Sequence, residues 1–179
     1  MAGSARDQLD QDLRLLEVLN TEIRETEKLL KHALKDDRRV ELLETIPGLG
    51  AITSAVLALE IDNIGRFPDA RKLAAYAGLV PSVHASGGKI HHGRLMKQSN
   101  KWLRWALVEA AWVSVRHDPY FRTLYGKHAK KGSQTAIVVT ARRLLEVVWH
   151  VLTEERAYEA RPVRAATGRT CRISPAALI

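Results

Sequence analysis

From Asn100 to Arg116 the chain reads Asn-Lys-Trp-Leu-Arg-Trp-Ala-Leu-Val-Glu-Ala-Ala-Trp-Val-Ser-Val-Arg. A helix drawn through it is apolar nearly all round, with Lys101, Arg104, Glu109 and Arg116 as the charged exceptions. Such a helix needs neighbours on most of its sides, so the rest of the chain must supply apolar elements to surround it. Trp102, Trp105 and Trp112 are accordingly read as core side chains and not as stacking surfaces for bases. Asn100 suits the helix-capping position in front of them.

Upstream, Leu9, Leu13, Leu16, Asn20, Ile23, Glu27, Leu30 and Leu34 recur at alternating steps of four and three, which predicts one long amphipathic helix within residues 1–40. Asn20 on that seam would fix register at a cost in stability. A helical hairpin, an intermolecular coiled coil and a helix packed on its own domain all fit the pattern. Asp7, Asp10 and Asp12 suit the positive end of that helix better than a metal ion. Between Glu41 and Ile61, Pro47, Gly48 and Gly50 interrupt an apolar period that resumes at Leu49, Ile52, Val56 and Leu59, giving helix, tight turn, helix. Phe67-Pro68-Asp69-Ala70 opens a short helix, with proline near its first position, that Gly78 stops. Residues 79–99 contain Pro81, Gly87, Gly88 and Gly93 and read as a loop, with room for a short hairpin through Lys89 to His92.

Asp118-Pro119 restarts a helix to about Lys130, and Ser133 can cap a last one carrying Ile137, Leu144, Leu145, Val148 and Leu152. The expected fold is all-α. It comprises an amphipathic helix over 1–40, a compact helical domain over 41–155 and a disordered tail over 156–179 that lacks an apolar period.

Charge is unevenly placed along this plan. The chain is +8 overall, and residues 81–132 alone hold ten basic and two acidic side chains, an excess equal to that of the whole chain, with five of the seven histidines. A patch of that sign attracts polyanions, phosphate backbone foremost, although a solvated basic face is the plainer alternative. No run of about 18 apolar residues offers a membrane span. The residues from Met1 to Asp7 lack the apolar core of a leader, and the single Cys171 excludes an internal disulfide framework. A soluble, cytoplasmic protein with no membrane partner is expected.

Ile46-Pro47-Gly48-Leu49-Gly50, followed by Ala55 and Val56, looks like the turn of a helix-hairpin-helix element. There Gly48 and Gly50 would let the backbone approach a phosphate, and the next helix would offer its unpaired N–H groups. A plain helical turn is the competing reading, and Glu41, Glu44 and Glu60 oppose strong anion binding. Ser86-Gly87-Gly88, in a loop dense with Lys, Arg and His, has the freedom and cationic surroundings that a nucleophile attacking phosphorus needs. The triplet alone is ordinary loop chemistry. His84, His91 and His92 lack Cys or acidic partners at ligand spacing, so phosphate contact suits His91 and His92 better than metal binding.

In order, the chain carries Ile46-Pro47-Gly48-Leu49-Gly50, Ala75-Tyr76-Ala77-Gly78-Leu79-Val80-Pro81, Ser86-Gly87-Gly88, Gly93-Arg94-Leu95-Met96-Lys97 and Trp102-Leu103-Arg104-Trp105-Ala106-Leu107. This set resembles the C-terminal serine domain of the DEDD-type insertion-sequence transposases, the group known for bridge-RNA-guided recombination. The resemblance covers about Leu42 to Leu152, and the preceding long helix is similar to the coiled coil of that family.

The resemblance implies DNA transposition. A serine of the Ser-Gly loop would attack DNA to form a covalent phosphoserine, beside a RuvC-like domain whose acidic residues hold Mg2+. Ser86 would be that nucleophile. Lys89, Arg94, Lys97, Lys101 and Arg104, with His91 and His92, would contact phosphates of DNA or of a guide RNA, an assignment that rests on charge and position.

Two positions depart from the family. Ala85 stands where a serine is common, which singles out Ser86 if the second serine acts and leaves the domain inactive if the first does. Ser99 stands where a glycine is common. A RuvC-like domain needs roughly a hundred or more residues of alternating strands and helices, and only about 40 mostly helical residues precede Glu41. The expectation is therefore a truncated transposase that binds no metal itself and works as a homo-oligomer or with a separate metal-domain chain. The alternative is a non-catalytic nucleic-acid-binding or assembly module.

Overall fold

The leucine stripe becomes a single helix, α1 (Ala2–Ala33), and a turn over residues 34–37 closes it, with Leu34 N–H donating to Leu30 O at 3.1 Å and Asp37 N–H to Leu34 O at 3.1 Å. The computed structural model describes residues 2–86, 89–95 and 98–160, and for 2–4, 83–86, 89–92 and 94 it describes the main chain. It divides into two units, Met1–Asp37 and Arg38–Ile179. In the first, Leu9, Leu13, Leu16 and Ile23 are all about half exposed along α1. The helix begins at Ala2, with no acid in its first turn. Asp7, Asp10 and Asp12 thus lie beyond the turn where a dipole acts most strongly.

The second unit is built from α2 (Arg38–Glu44), α3 (Ala51–Ile61), a 3-10 turn (Ile64–Arg66), α4 (Ala70–Tyr76), the strands β1 (Pro81–Ser86) and β2 (Lys89–Leu95), α5 (Lys101–His117), α6 (Pro119–His128), a second 3-10 turn (Ala129–Lys131) and α7 (Ser133–Glu154). The fold is mainly helical, as expected. α7 packs on α2, α4, α5 and α6, and α5 packs on α3, α6 and α7. Their shared core is apolar: Leu43, Leu57, Leu73, Leu103, Leu107, Phe121, Leu144 and Leu145 are fully buried.

Polar groups join these helices where carbonyls would otherwise be left open. Arg39 donates to Ala58 O (3.2 Å) and Asp62 O (2.6 Å) at the end of α3, where a cation also suits the helix dipole. Asp118 caps α6 by accepting from Tyr120 N–H (2.7 Å) and Phe121 N–H (3.3 Å). Trp149 Nε1 donates to Phe67 O at 3.0 Å, tying α7 to the segment before α4. Burial alone would lower the Arg143 pKa. Hydrogen bonds with Tyr120 and Glu146 outweigh that and hold the guanidinium above the ordinary arginine value.

Several expectations need correction. Pro81–Ser86 and Lys89–Leu95 pair as a two-stranded antiparallel ribbon, longer than a short hairpin through Lys89 to His92 and the one sheet among the described residues. The signal was present: Gly87-Gly88 between two short β-compatible runs is a hairpin pattern. Trp102 and Trp105 are 65% and 46% exposed, not core. The buried stripe of α5 is Leu103, Ala106, Leu107, Ala110, Ala111, Ser114 and Val115, which leaves the indoles on the remaining arc, with Trp112 half-buried against Tyr125.

Asp69 fills the cap of α4, accepting from Lys72 N–H at 2.8 Å, so Pro68 stands just before the cap and not at the first helical position. Ser133 is the first residue of α7, and Gly132 at φ +109° precedes it as the cap. Residues 156–160 of the expected tail are held: Tyr158 donates its N–H to Thr45 Oγ1 (2.9 Å) and its hydroxyl to the buried Asp118 carboxylate (2.9 Å). Residues 161–179 lie outside the described residues.

The turn between α2 and α3 shows why its glycines differ. Gly48 has φ +100°, and a Cβ there would strike Ser114 Oγ and stand 2.6 Å from Ala110 O. Ser114, fully buried, shares its hydroxyl between Pro47 O (2.6 Å) and Ala110 O (2.8 Å), seating the turn on α5. Gly50, with open space around it, caps α3. Gly48→Ala should therefore lower unfolding free energy by about 2–5 kcal/mol, from backbone strain plus overpacking. Gly50→Ser should change it by less than about 0.5 kcal/mol, because serine is also a good cap. Urea titration of the two variants checks this, and equal losses would contradict it.

Candidate nucleic-acid interface

The ribbon bearing Ser86 leaves and rejoins the helical body at one place. At its outgoing side, α4 ends in a tight reversal: Gly78 N–H donates to Ala75 O (3.0 Å) and Leu79 N–H to Ala74 O (2.9 Å), which requires the positive φ of Gly78. At its returning side, Asn100 N–H donates to Tyr76 O at 3.0 Å. The Asn100 side chain accepts from Leu103 N–H (3.0 Å) and donates to Glu60 Oε2 (2.5 Å) and Tyr76 Oη (3.2 Å). One residue thus caps α5 and ties it to α3 and α4. Sequence reading identified the cap and missed the other two bonds, because nothing local in sequence relates Asn100 to residues 24 and 40 positions away.

Arg104 completes the seat. Half-buried, it donates through Nε to Ala77 O (3.2 Å) and through Nη2 to Ser99 Oγ. A Cβ on Gly78 would strike both Arg104 Nη2 and Ser99, so Gly78, Ser99 and Arg104 form one close-packed junction. Ser99, one of the departures from the family pattern, is engaged with Arg104. Lys101, in contrast, is exposed at the first position of α5.

Beyond the seat the ladder pairs Pro81 with Leu95, Val83 with His92, His84 with His91, Ala85 with Ile90 and Ser86 with Lys89. Its register shifts between Pro81 and Val83, where two residues, Gly93 and Arg94, face the single Ser82. Because strand positions alternate between faces and directly paired positions share one, Ser86, Lys89, His84 and His91 belong to one face of the ribbon. Val83, Ala85, Ile90 and His92 belong to the other. Ser86 and Lys89 close the ladder at its far end, about 17 Å from Pro81 at the usual strand rise.

The ladder thus brings Ser86, Lys89 and His91 together and separates His92 from them. Arg94 lies at the irregular step, and Lys97 lies outside the described residues. Gly48 and Gly50 are not part of this cluster. Their turn sits against Ala110 and Ser114, about 15–20 Å along α5 from Asn100, and the close approach that Gly48 makes is to α5 itself. No three His, Cys, Asp or Glu side chains converge as a metal site among the described residues. Nor is any described helix long and apolar enough to cross a membrane.

These features define a class: a small helical body with a β-ribbon rich in Lys, Arg and His, in which Ser86 holds the last position of the ladder. Residues 40–126 match the transposase family of IS116, IS110 and IS902, and this segment is a domain of that family. The chain is 33% identical over 122 residues to the 43.6-kDa protein of insertion element IS110 from Streptomyces coelicolor, covering 67% of this chain and 30% of that protein. It is 31% identical over 151 residues to the 42-kDa protein of insertion element IS900 from Mycobacterium paratuberculosis, covering 83% and 38%. It is 35% identical over 127 residues to the pilin gene-inverting protein of Moraxella lacunata, covering 69% and 39%. The chain therefore spans well under half the length of these relatives.

The junction makes its own prediction. Asn100→Ala removes a cap and leaves Glu60 and Tyr76 without that partner, so it should cost about 2–3 kcal/mol. Asn100→Ser keeps the cap and should cost about half as much. Denaturant unfolding distinguishes them: equal stability of the two variants would show that the cap contributes nothing, and an Asn100→Ser variant as stable as the parent would show the same of the bonds to α3 and α4.

Proposed function

We propose that this chain is the serine-bearing portion of a DNA transposase, binding nucleic acid through its cationic segment and supplying Ser86 as the nucleophile for strand transfer. The observation that supports this most is the ladder register, which sets Ser86 opposite Lys89 and on the face of His84 and His91, at the end of a ribbon carried by a transposase-family domain. In the reaction, Ser86 Oγ bonds to a DNA phosphorus as the bond from phosphorus to the leaving sugar oxygen breaks. The serine proton passes to a base of the assembled site, and the sugar oxygen takes one up. Ser86 thereby conserves the phosphodiester energy for rejoining. Lys89 and His91, with Arg94, Lys97 and Lys101, contribute positive charge to phosphates of DNA and of a guide RNA. Arg104 acts by holding the seat.

No Mg2+ is assigned to these residues. The acidic residues that hold it belong to a RuvC-like domain outside this sequence, with which the chain assembles. Assembly has its own support: α1 leaves Leu9, Leu13, Leu16 and Ile23 about half exposed, the pattern of a helix that pairs with a second copy. If α1 serves assembly alone, the chain is a binding module without chemistry.

Mixed with a relative's RuvC-like domain, Mg2+ and insertion-sequence-end DNA, the chain should form a covalent DNA adduct visible on a denaturing gel. Ser86→Ala should abolish the adduct, and Ser82→Ala should leave it. Adduct persisting in Ser86→Ala would reject the nucleophile assignment, and salt-dependent DNA binding without adduct under every complementation would favour the binding module. Leu9→Glu with Leu16→Glu should reduce the molar mass of the assembly in light scattering. An unchanged mass would remove α1 from assembly.

A further inference from the structure

We infer that Trp102 and Trp105 form a stacking platform for unpaired nucleobases, a site distinct from the Ser86 ribbon. The two indoles are 65% and 46% exposed in the first two turns of α5, while Leu103 between them and Ala106 and Leu107 just after them are fully buried. Their rings meet edge to face, with centroids 6.3 Å apart and planes at 89°. That contact leaves most of the Trp102 surface open. Singly exposed apolar residues are common on any protein. Two adjacent tryptophans that the helix turns away from its core are not, since indole is the side chain with most to gain from burial.

The occupant is argued from charge and ring chemistry. Lys101 is exposed beside the pair, and the segment from 81 to 132 that contains it carries a net +8. The nearest acid on this helix, Glu109, lies one turn beyond Trp105. Aromatic faces next to cations suit a polyanion whose bases have π-faces, that is, a single strand or an unpaired stretch of nucleic acid. Tryptophan also anchors protein contacts, and what favours a nucleic acid is the excess of positive charge along 81–132 beside rings that can stack on bases. The pair also stands two residues after Asn100, so it shares the seat from which the ribbon projects. Strand opening near the ribbon would deliver unpaired bases to this end of α5.

This inference rests on the reading of the chain as nucleic-acid-binding, and its test separates the two. Binding of the full-length chain to a fluorescent dT15 strand and to a 15-base-pair duplex is measured by polarisation for the parent, Trp102→Ala, Trp105→Ala, Trp102→Phe and Trp105→Phe. Each alanine variant should weaken dT15 binding by about 5- to 100-fold, the effect of losing one stacked base. Duplex affinity, the salt slope and the melting temperature should stay near parental values, and the phenylalanine variants should retain most of the dT15 affinity.

Alanine variants that bind dT15 like the parent would overturn the platform, as would equal losses on dT15 and duplex. Loss of self-association in those variants with dT15 affinity intact would show that a second copy covers the rings, which also overturns it. A parent that binds neither probe would sink the nucleic-acid reading itself. A parent that forms the Ser86 adduct while the alanine variants bind dT15 unchanged would sink the platform alone.

Discussion

The side-chain amide of Asn100 is the constraint on which the arrangement of this domain depends. Its oxygen satisfies an open N–H of α5, and its nitrogen reaches Glu60 on α3 and Tyr76 on α4. Both ends of the ribbon are thereby fixed within a few residues of one point, since β1 begins five residues after α4 and α5 begins six residues after β2. Arg104 seals the same point by reaching the last carbonyl region of α4 and Ser99, and Gly78 is the residue that leaves room for it. A two-stranded ribbon is marginal by itself. Anchoring both of its feet to the helical body is what ties the ribbon to the rest of the domain.

The opposite end of α5 is organised by a different polar group. Ser114 holds the Pro47-Gly48 turn against the helix, so α3 runs antiparallel to α5, with its start near Ser114 and its end near Asn100. The two ends have different properties. One carries the ribbon, Lys101 and the exposed indoles, and the other is closed by a glycine packed on backbone. Positive charge at the first end is therefore available to a ligand, whereas the flexibility of Gly48 serves packing.

Much of this was legible in sequence because it is local. The helices follow from apolar period and caps: Asn100, Asp118 and the stop at Gly78 lie where a reading of propensities places them. The ordered motifs from Ile46 to Leu107 pointed to an insertion-sequence transposase, and residues 40–126 match the transposase family of IS116, IS110 and IS902. What was not legible depends on direction or distance. The sequence of α5 is apolar nearly all round and carries no sign of which arc faces the core, so it does not separate the exposed Trp102 and Trp105 from the buried Leu103 and Leu107. The glycines of the α2–α3 turn carry a phosphate-binding pattern, yet whether Gly48 approaches a ligand or another helix depends on Ser114, more than sixty residues away. Arg104 counted as one more cation until its carbonyl and hydroxyl partners were placed.

The ribbon end at Ser86, and not the α2–α3 turn, is the part of the domain expected to meet the DNA backbone. With the native Cys171 replaced by serine, single cysteines at 86 and at 50 can be tethered to duplex DNA carrying a thiol-bearing phosphate, and disulfide capture can be compared. Capture at position 86 that fades as salt rises, with little at position 50, is the predicted result. Capture at position 50 with none at position 86 would contradict it.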